Sequence, residues 1–172
     1  MNTVLPLARR VARHGDWTGS FETVSLAYDA RLLRRRKLTT DNGRVVHVNL
    51  AETVSVNAGD AFCLDDGTYV AVRAAAEDLL EITGADLHRV AWHIGNRHTP
   101  CQIAADRLLI QRDHVLRDML IGLGADIAEV TEPFSPEGGA YGQGRTFSHH
   151  HADAKDADHI SHHHSDHQSD AP

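Results

Sequence analysis

Up to about residue 73, apolar positions come in short extended runs separated by turn residues, the pattern of β structure. The first run covers Phe21 to Tyr28. Leu38-Thr39-Thr40 and Arg44 to Leu50 flank Asp41-Asn42-Gly43, where Asn-Gly supplies the positive φ angles of a type I′ hairpin. Ala61-Phe62-Cys63-Leu64 and Thr68 to Val72 flank Asp65-Asp66-Gly67 in a second hairpin, which follows a turn at Asn57-Ala58-Gly59-Asp60. The expectation is a small antiparallel β domain over residues 1–74.

Beyond residue 77 the period changes. Asp78 to Ile82 reads as a strand ended by Thr83-Gly84. Leu87, Val90, Ala91 and Ile94 then form one apolar helical face, with Gly95-Asn96 as its C-terminal cap. Two short strands, Pro100 to Ala104 and Leu108 to Gln111, surround Ala105-Asp106-Arg107. Asp113 caps a helix carrying Val115, Leu116, Met119, Leu120 and Leu123, stopped by Gly122 to Gly124. Ile127 to Thr131 is the last strand, before Pro133. The order β-α-β-β-α-β over residues 77–135 is that of a ferredoxin-like domain, and the class is α+β.

Residues 136–172 hold no core-forming pattern. Pro136 to Gly144 is a Gly-rich hinge. The last 24 residues carry eight of the chain's 14 histidines, with Ile160 their one sizeable apolar side chain. Nothing there offsets the entropy of ordering a backbone, so the expectation is a disordered His-rich tail. An engineered tag is an uninterrupted run of histidine; here His149–His151 and His162–His164 are separated by an Asp-rich spacer. Imidazole is the commonest protein ligand for nickel, copper and zinc, and five tail aspartates add oxygen donors. Such a tail binds Ni2+, Cu2+ or Zn2+ loosely and polyvalently, as a carrier or buffer does.

Charge narrows the function classes. Net charge is −7, of which five Asp and one Lys in the tail supply −4, leaving a mildly acidic body. That argues against a nucleic-acid partner. The basic run Arg31, Arg34, Arg35, Arg36, Lys37 has no interleaved aromatics for base stacking and reads as a solvated edge or loop, with docking to an acidic partner left open. Cys63 and Cys101 form no CxxC, which excludes a disulfide framework and a zinc knuckle. No secretory h-region and no run of about 18 apolar residues is present, so the expectation is a cytoplasmic protein with no membrane partner.

Six histidines precede the tail. His14 and His47 lack ligand-spaced neighbours, His88 lies beside the apolar stripe facing solvent, and His93 adjoins Ile94 as a half-buried ring. His98 differs. It sits in Gly95-Asn96-Arg97-His98-Thr99-Pro100, a short loop between a helix and a strand, where position is fixed and the ring exposed.

Trp92 to Ile103, containing Gly95-Asn96-Arg97-His98, resembles the GNRH signature of the urease accessory protein UreE family. Asp113 to Leu120 is similar to that family's next block, and Glu137-Gly138-Gly139-Ala140-Tyr141-Gly142 to its third, which precedes a His-rich C-terminus. The resemblance implies an N-terminal domain like the peptide-binding domains of certain chaperones and a C-terminal metal-binding domain. It implies a homodimer that delivers nickel to the urease apoprotein beside a urease accessory GTPase. It further implies that His98 is the principal nickel ligand, supplied by both subunits at the two-fold axis. Nickel favours four to six donors, so the remaining positions fall to water or to the tail residues His149, His150, His151, His159, His162, His163, His164 and His167, of which His149 to His151 are nearest in sequence. The family often pairs a His with the one matching His114; this chain has Arg112 at that place, leaving His114 a peripheral candidate without its partner. Arg145 likewise stands where some members carry a His after the hinge.

The reading is therefore a metallochaperone, not an enzyme, with no catalytic cofactor. One rival is a nickel, zinc or copper storage protein with no delivery partner. Another is a zinc hydrolase, which would need three rigid ligands and a general base such as HExxH; the chain has neither. A third is a peptide-binding chaperone with an incidental tail.

Overall fold

The computed structural model describes residues 5–19, 22–84 and 86–138, which form two sheets and two α-helices. The expected tail ligands, His149 to His167, lie outside the described residues, as do Arg145 and most of the hinge.

Six strands make the first sheet: β1 (Leu7–Ala12), β2 (Glu22–Leu26), β3 (Leu32–Thr39), β4 (Val45–Ser55), β5 (Ala61–Leu64) and β6 (Tyr69–Ala74), in the order β2-β6-β5-β1-β4-β3. The sheet is mixed, which corrects the antiparallel expectation. β3–β4, β1–β5 and β5–β6 run antiparallel, but β1 lies parallel to β4 and β2 parallel to β6. Local turn signals reveal hairpins, whereas these parallel pairs join strands separated by other strands, and no turn announces them. β1 itself carries Arg9 and Arg10 at its centre, which hides it from an apolar pattern.

Both hairpins fall where turn residues place them, but neither is a type I′ turn. Gly43 (φ 83°) and Gly67 (φ 83°) alone take the left-handed conformation in their loops. The Gly43 N–H donates to the Thr40 carbonyl (2.9 Å) and the Thr40 N–H to the Arg44 carbonyl (2.8 Å); Gly67, Leu64 and Thr68 repeat the arrangement. This is the three-residue loop closed by a left-handed glycine, and it leaves Asn42 and Asp66 in ordinary backbone. Val24, Val46, Val48, Phe62, Val70 and Val72 centre the core beneath the sheet.

One residue, Ala75, separates β6 from the second unit. There β7 (Ala76–Thr83), β8 (Gln102–Ile103), β9 (Leu108–Gln111) and β10 (Asp126–Pro133) form a sheet ordered β10-β7-β9-β8 with every neighbour antiparallel. α1 (Leu87–Gly95) and α2 (His114–Gly122) pack on one face of it. Val90 and Ile94 of α1 and Leu120 of α2 bury against Leu80, Ile82, Leu108 and Ile110. Each helix starts at an aspartate: the Asp86 carboxylate accepts from the Arg89 N–H and that of Asp113 from the Leu116 N–H, filling donors that no helical carbonyl reaches.

The opposite face of this sheet meets the first unit. Leu79, Leu109 and Phe134 are buried there against Tyr28. The Tyr28 ring meets Phe134 edge-on (centroids 5.7 Å apart), its N–H donates to Glu77 Oε1 (2.7 Å), and the Arg31 guanidinium lies 5.3 Å from the Tyr28 ring centre. Arg31 Nη2 donates to the Phe134 carbonyl. The joint is apolar in its middle with charge-assisted hydrogen bonds around it.

Candidate metal centre

The chain after α1 builds an unusual position for His98. Past the last helical turn, the Ile94 carbonyl accepts from the Arg97 N–H (3.1 Å). The His98 N–H takes the Gly95 carbonyl (2.9 Å) and the Thr99 N–H takes that of Ile94 (3.4 Å). This paired closure requires a left-handed residue where it turns, a place usually filled by glycine. Here it is His98, at φ 56°, the one non-glycine residue with positive φ among the described residues. The expected cap at Gly95-Asn96 is thus displaced: Asn96 is still right-handed, at φ −63°. α2 ends in the same pattern with Gly124 (φ 86°) at the corresponding place. Two equivalent caps, one with Gly and one with His, differ by about 1 kcal/mol or more of backbone strain. A residue held at such cost needs a role for its side chain.

The His98 ring is exposed. Arg97 beside it folds back, donating from Nη1 to the His93 carbonyl (3.0 Å). His93 is half-buried and lies edge-on to Trp92, with ring centres 5.0 Å apart. Trp92 is 63% exposed, as is Val115 on α2. Trp92 lies off the apolar stripe of α1, and Val115, one of the apolar residues expected along α2, stands outside its buried face.

The other histidines are scattered. His88 is exposed near Asp86 (3.6 Å). His14 packs across Gly59, and His47 is half-buried on β4. His114 is the first residue of α2 and exposed. Its missing partner position, Arg112, is committed elsewhere: its guanidinium spans Glu129 (3.1 Å) and Asp78 (3.6 Å). Among the described residues no three His, Cys, Asp or Glu side chains converge in a way that could hold a metal ion. Cys101, three residues past His98, is no ready thiolate: burial pushes its pKa up to about 11, with Glu137 adding to the rise. Within one copy of the described chain His98 is a single exposed donor. A metal needing four or more ligands would have to draw the rest from a second copy, from water or from the tail.

Comparison with known proteins settles the family. The model of the UreE urease accessory protein N-terminal domain matches residues 4–75, and that of the UreE C-terminal domain matches residues 77–169. The chain belongs to the UreE family. The urease accessory protein UreE of Ruegeria pomeroyi is 57% identical over 147 residues, covering 86% of this chain and 99% of the relative. UreE of Cereibacter sphaeroides is 57% identical over 154 residues (89% of this chain, 84% of the relative), and UreE of Rhodobacter capsulatus 51% over 144 (84% and 92%). The two UreE domain models meet at Ala76, where β6 gives way to β7. Among the described residues no helix is long and apolar enough to cross a membrane.

Proposed function

We propose that this chain serves urease maturation as a nickel metallochaperone without catalytic activity, binding Ni2+ and passing it to the urease apoprotein. The observation that carries the reading is His98: an exposed imidazole on a backbone held left-handed by the closure of α1. Rigid placement of one neutral donor at a surface is what a transferable cargo needs, since a full cage of fixed ligands would hold the ion too firmly to release it. The names of the relatives, urease accessory proteins, support the destination.

In this reading the six-stranded sheet, within residues 1–74, is the peptide-binding-like domain. Residues 77–135 are a ferredoxin-like metal-binding domain, and residues 136–172 are the hinge and tail. The protein acts as a cytoplasmic homodimer, with His98 of each copy at the two-fold axis and the urease accessory GTPase as a further partner. The exposed Trp92 and Val115 offer apolar surface for self-association. Tail histidines complete the shell and hold additional ions.

Nickel calorimetry on His98→Ala tests the assignment. The tightest phase, one ion per dimer, should vanish while weaker binding persists; an unchanged tight phase overturns it.

A further inference from the structure

β3 is a terminal strand of its sheet, and Arg34, Arg35, Arg36 and Lys37 on it are all exposed. Among the described residues no carboxylate pairs with any of the four, and Arg35 meets only the neutral amide oxygen of Asn49 (3.1 Å). Several arginines elsewhere find carboxylates: Arg13 has Asp60 (2.7 Å), Arg44 has Glu22 (3.1 Å) and Arg107 has Glu132 (2.9 Å). With −4 in residues 149–172 and −7 overall, residues 1–148 carry −3. Removing the +4 of this strand leaves −7 for the rest, so counter-charge is plentiful in the chain and withheld from β3. One or two charges suffice to keep an edge strand from pairing with another sheet. Four adjacent cations repel one another and call for an anionic occupant.

The chain brings one to the spot. Phe134, whose carbonyl accepts from Arg31 just ahead of β3, lies four residues before Gly138, the last of the described residues. From Phe134 to His149 is 15 residues, a span of up to about 50 Å. Arg31 to Lys37 along the strand is about 20 Å. Aspartates 153, 156, 158, 166 and 170 are therefore tethered within reach of β3, at an effective concentration on the order of millimolar.

We propose that in the metal-free protein the Asp-rich tail, residues 149–172, docks on the basic strand Arg34–Lys37, and that divalent metal bound to the tail histidines releases it. Each ion on neutral imidazoles adds two positive charges, so two ions cancel the tail's −4 and with it the attraction. Loading would then free both the cargo-bearing tail and the β3 edge together. The release step rests on the reading of the tail as a metal site; the docking step does not.

Lys37 and Lys155 are the only lysines in the chain, which makes the contact directly readable. The metal-free full chain is treated with a triazine coupling reagent that joins amines to touching carboxylates, at about pH 7.5, where imidazoles are largely uncharged. Peptide mass spectrometry should find Lys37 joined to tail aspartates. The yield should fall about tenfold in 0.5 M salt, in Arg34→Gln/Arg36→Gln, and at saturating Ni2+. Mixing with isotope-labelled protein separates bridges within one chain from those between copies. Absence of the bridge, insensitivity to salt, or bridges solely between copies overturns docking by the chain's own tail. Nickel counting by equilibrium dialysis on the same samples separates the two steps. Persistent bridges on a nickel-loaded tail overturn release alone, and bridges with a tail that takes up no nickel overturn the tail's metal-site reading while docking stands.

Discussion

Arg31 and Phe134 lie 103 residues apart in sequence, and the guanidinium of one donates to the main-chain carbonyl of the other. Arg31 is only 3% exposed, with Tyr28 beneath it. The contact joins the start of β3 to the segment that follows β10, so each sheet helps to hold the other. Arg31→Leu should remove a charge-assisted hydrogen bond and leave that carbonyl short of a donor, costing about 2 kcal/mol. Urea unfolding of the variant checks this; a wild-type midpoint would show that the joint contributes nothing to stability.

The His98 cap predicts an asymmetry between stability and binding. His98→Gly should stabilise the metal-free protein by about 1 kcal/mol, because glycine takes φ 56° without strain, and His98→Ala should not. Both variants should lose tight nickel binding. Thermal unfolding beside calorimetry decides it: equal melting temperatures for the Gly and Ala forms would remove the strain argument.

Gly59 is required twice over. It sits at φ 95°, and an added Cβ would stand 2.6 Å from His14 Nδ1. Gly59→Ala should therefore destabilise by about 1–3 kcal/mol, and His14→Ala in the same chain should recover only the steric part. Full recovery in the double variant would mean that backbone conformation is not limiting.

Cys101 gives a dependence on alkaline pH. Burial chiefly, with Glu137, raises its folded pKa from 9.0 to about 11. A group whose folded pKa is raised contributes stability that is complete below the unfolded value and lost as pH climbs toward the folded one. Stability should hold up to about pH 9 and decline between 9 and 11, less so in Cys101→Ala. At pH 8 the Cys101 thiolate should be about 100-fold scarcer than in the unfolded chain, and iodoacetamide labelling slower to match. Labelling at the unfolded rate would contradict the burial.

Removing residues 148–172 should leave the metal-free melting temperature unchanged, since the cores lie within residues 8–134. The nickel count should drop by a few ions per chain. Equal counts for both forms by equilibrium dialysis would show that the tail stores no metal.

Helices and hairpins were legible because their signals are local. Asp113 before an apolar stripe marks a helix start, and Gly43 and Gly67 mark hairpin loops that fold where expected. What escaped was non-local or counter to pattern. β1 pairs with β4 in parallel through contacts that nothing in Leu7–Ala12 specifies, and its arginines mask it. Arg34 to Lys37 lie inside β3 because an edge tolerates exposed side chains on both faces, whereas the charge run suggested that the strand began later. Gly95 drew attention as the cap because glycine usually turns a helix end, yet His98 takes the turn. The same residue stood out in sequence for its loop, but its left-handed backbone was invisible there. The tail's composition was plain from the start and lies beyond the described structure.

The closure of α1 also fixes how many degrees of freedom remain when an ion arrives. Two main-chain hydrogen bonds already define the backbone at His98, so capture has only the two side-chain torsions left to search. A donor whose main chain must be fixed at the moment of binding gives up roughly 1–2 kcal/mol more per residue. The strain at φ 56° is thus spent once, during folding, and every later ion meets a donor with most of its entropy already surrendered.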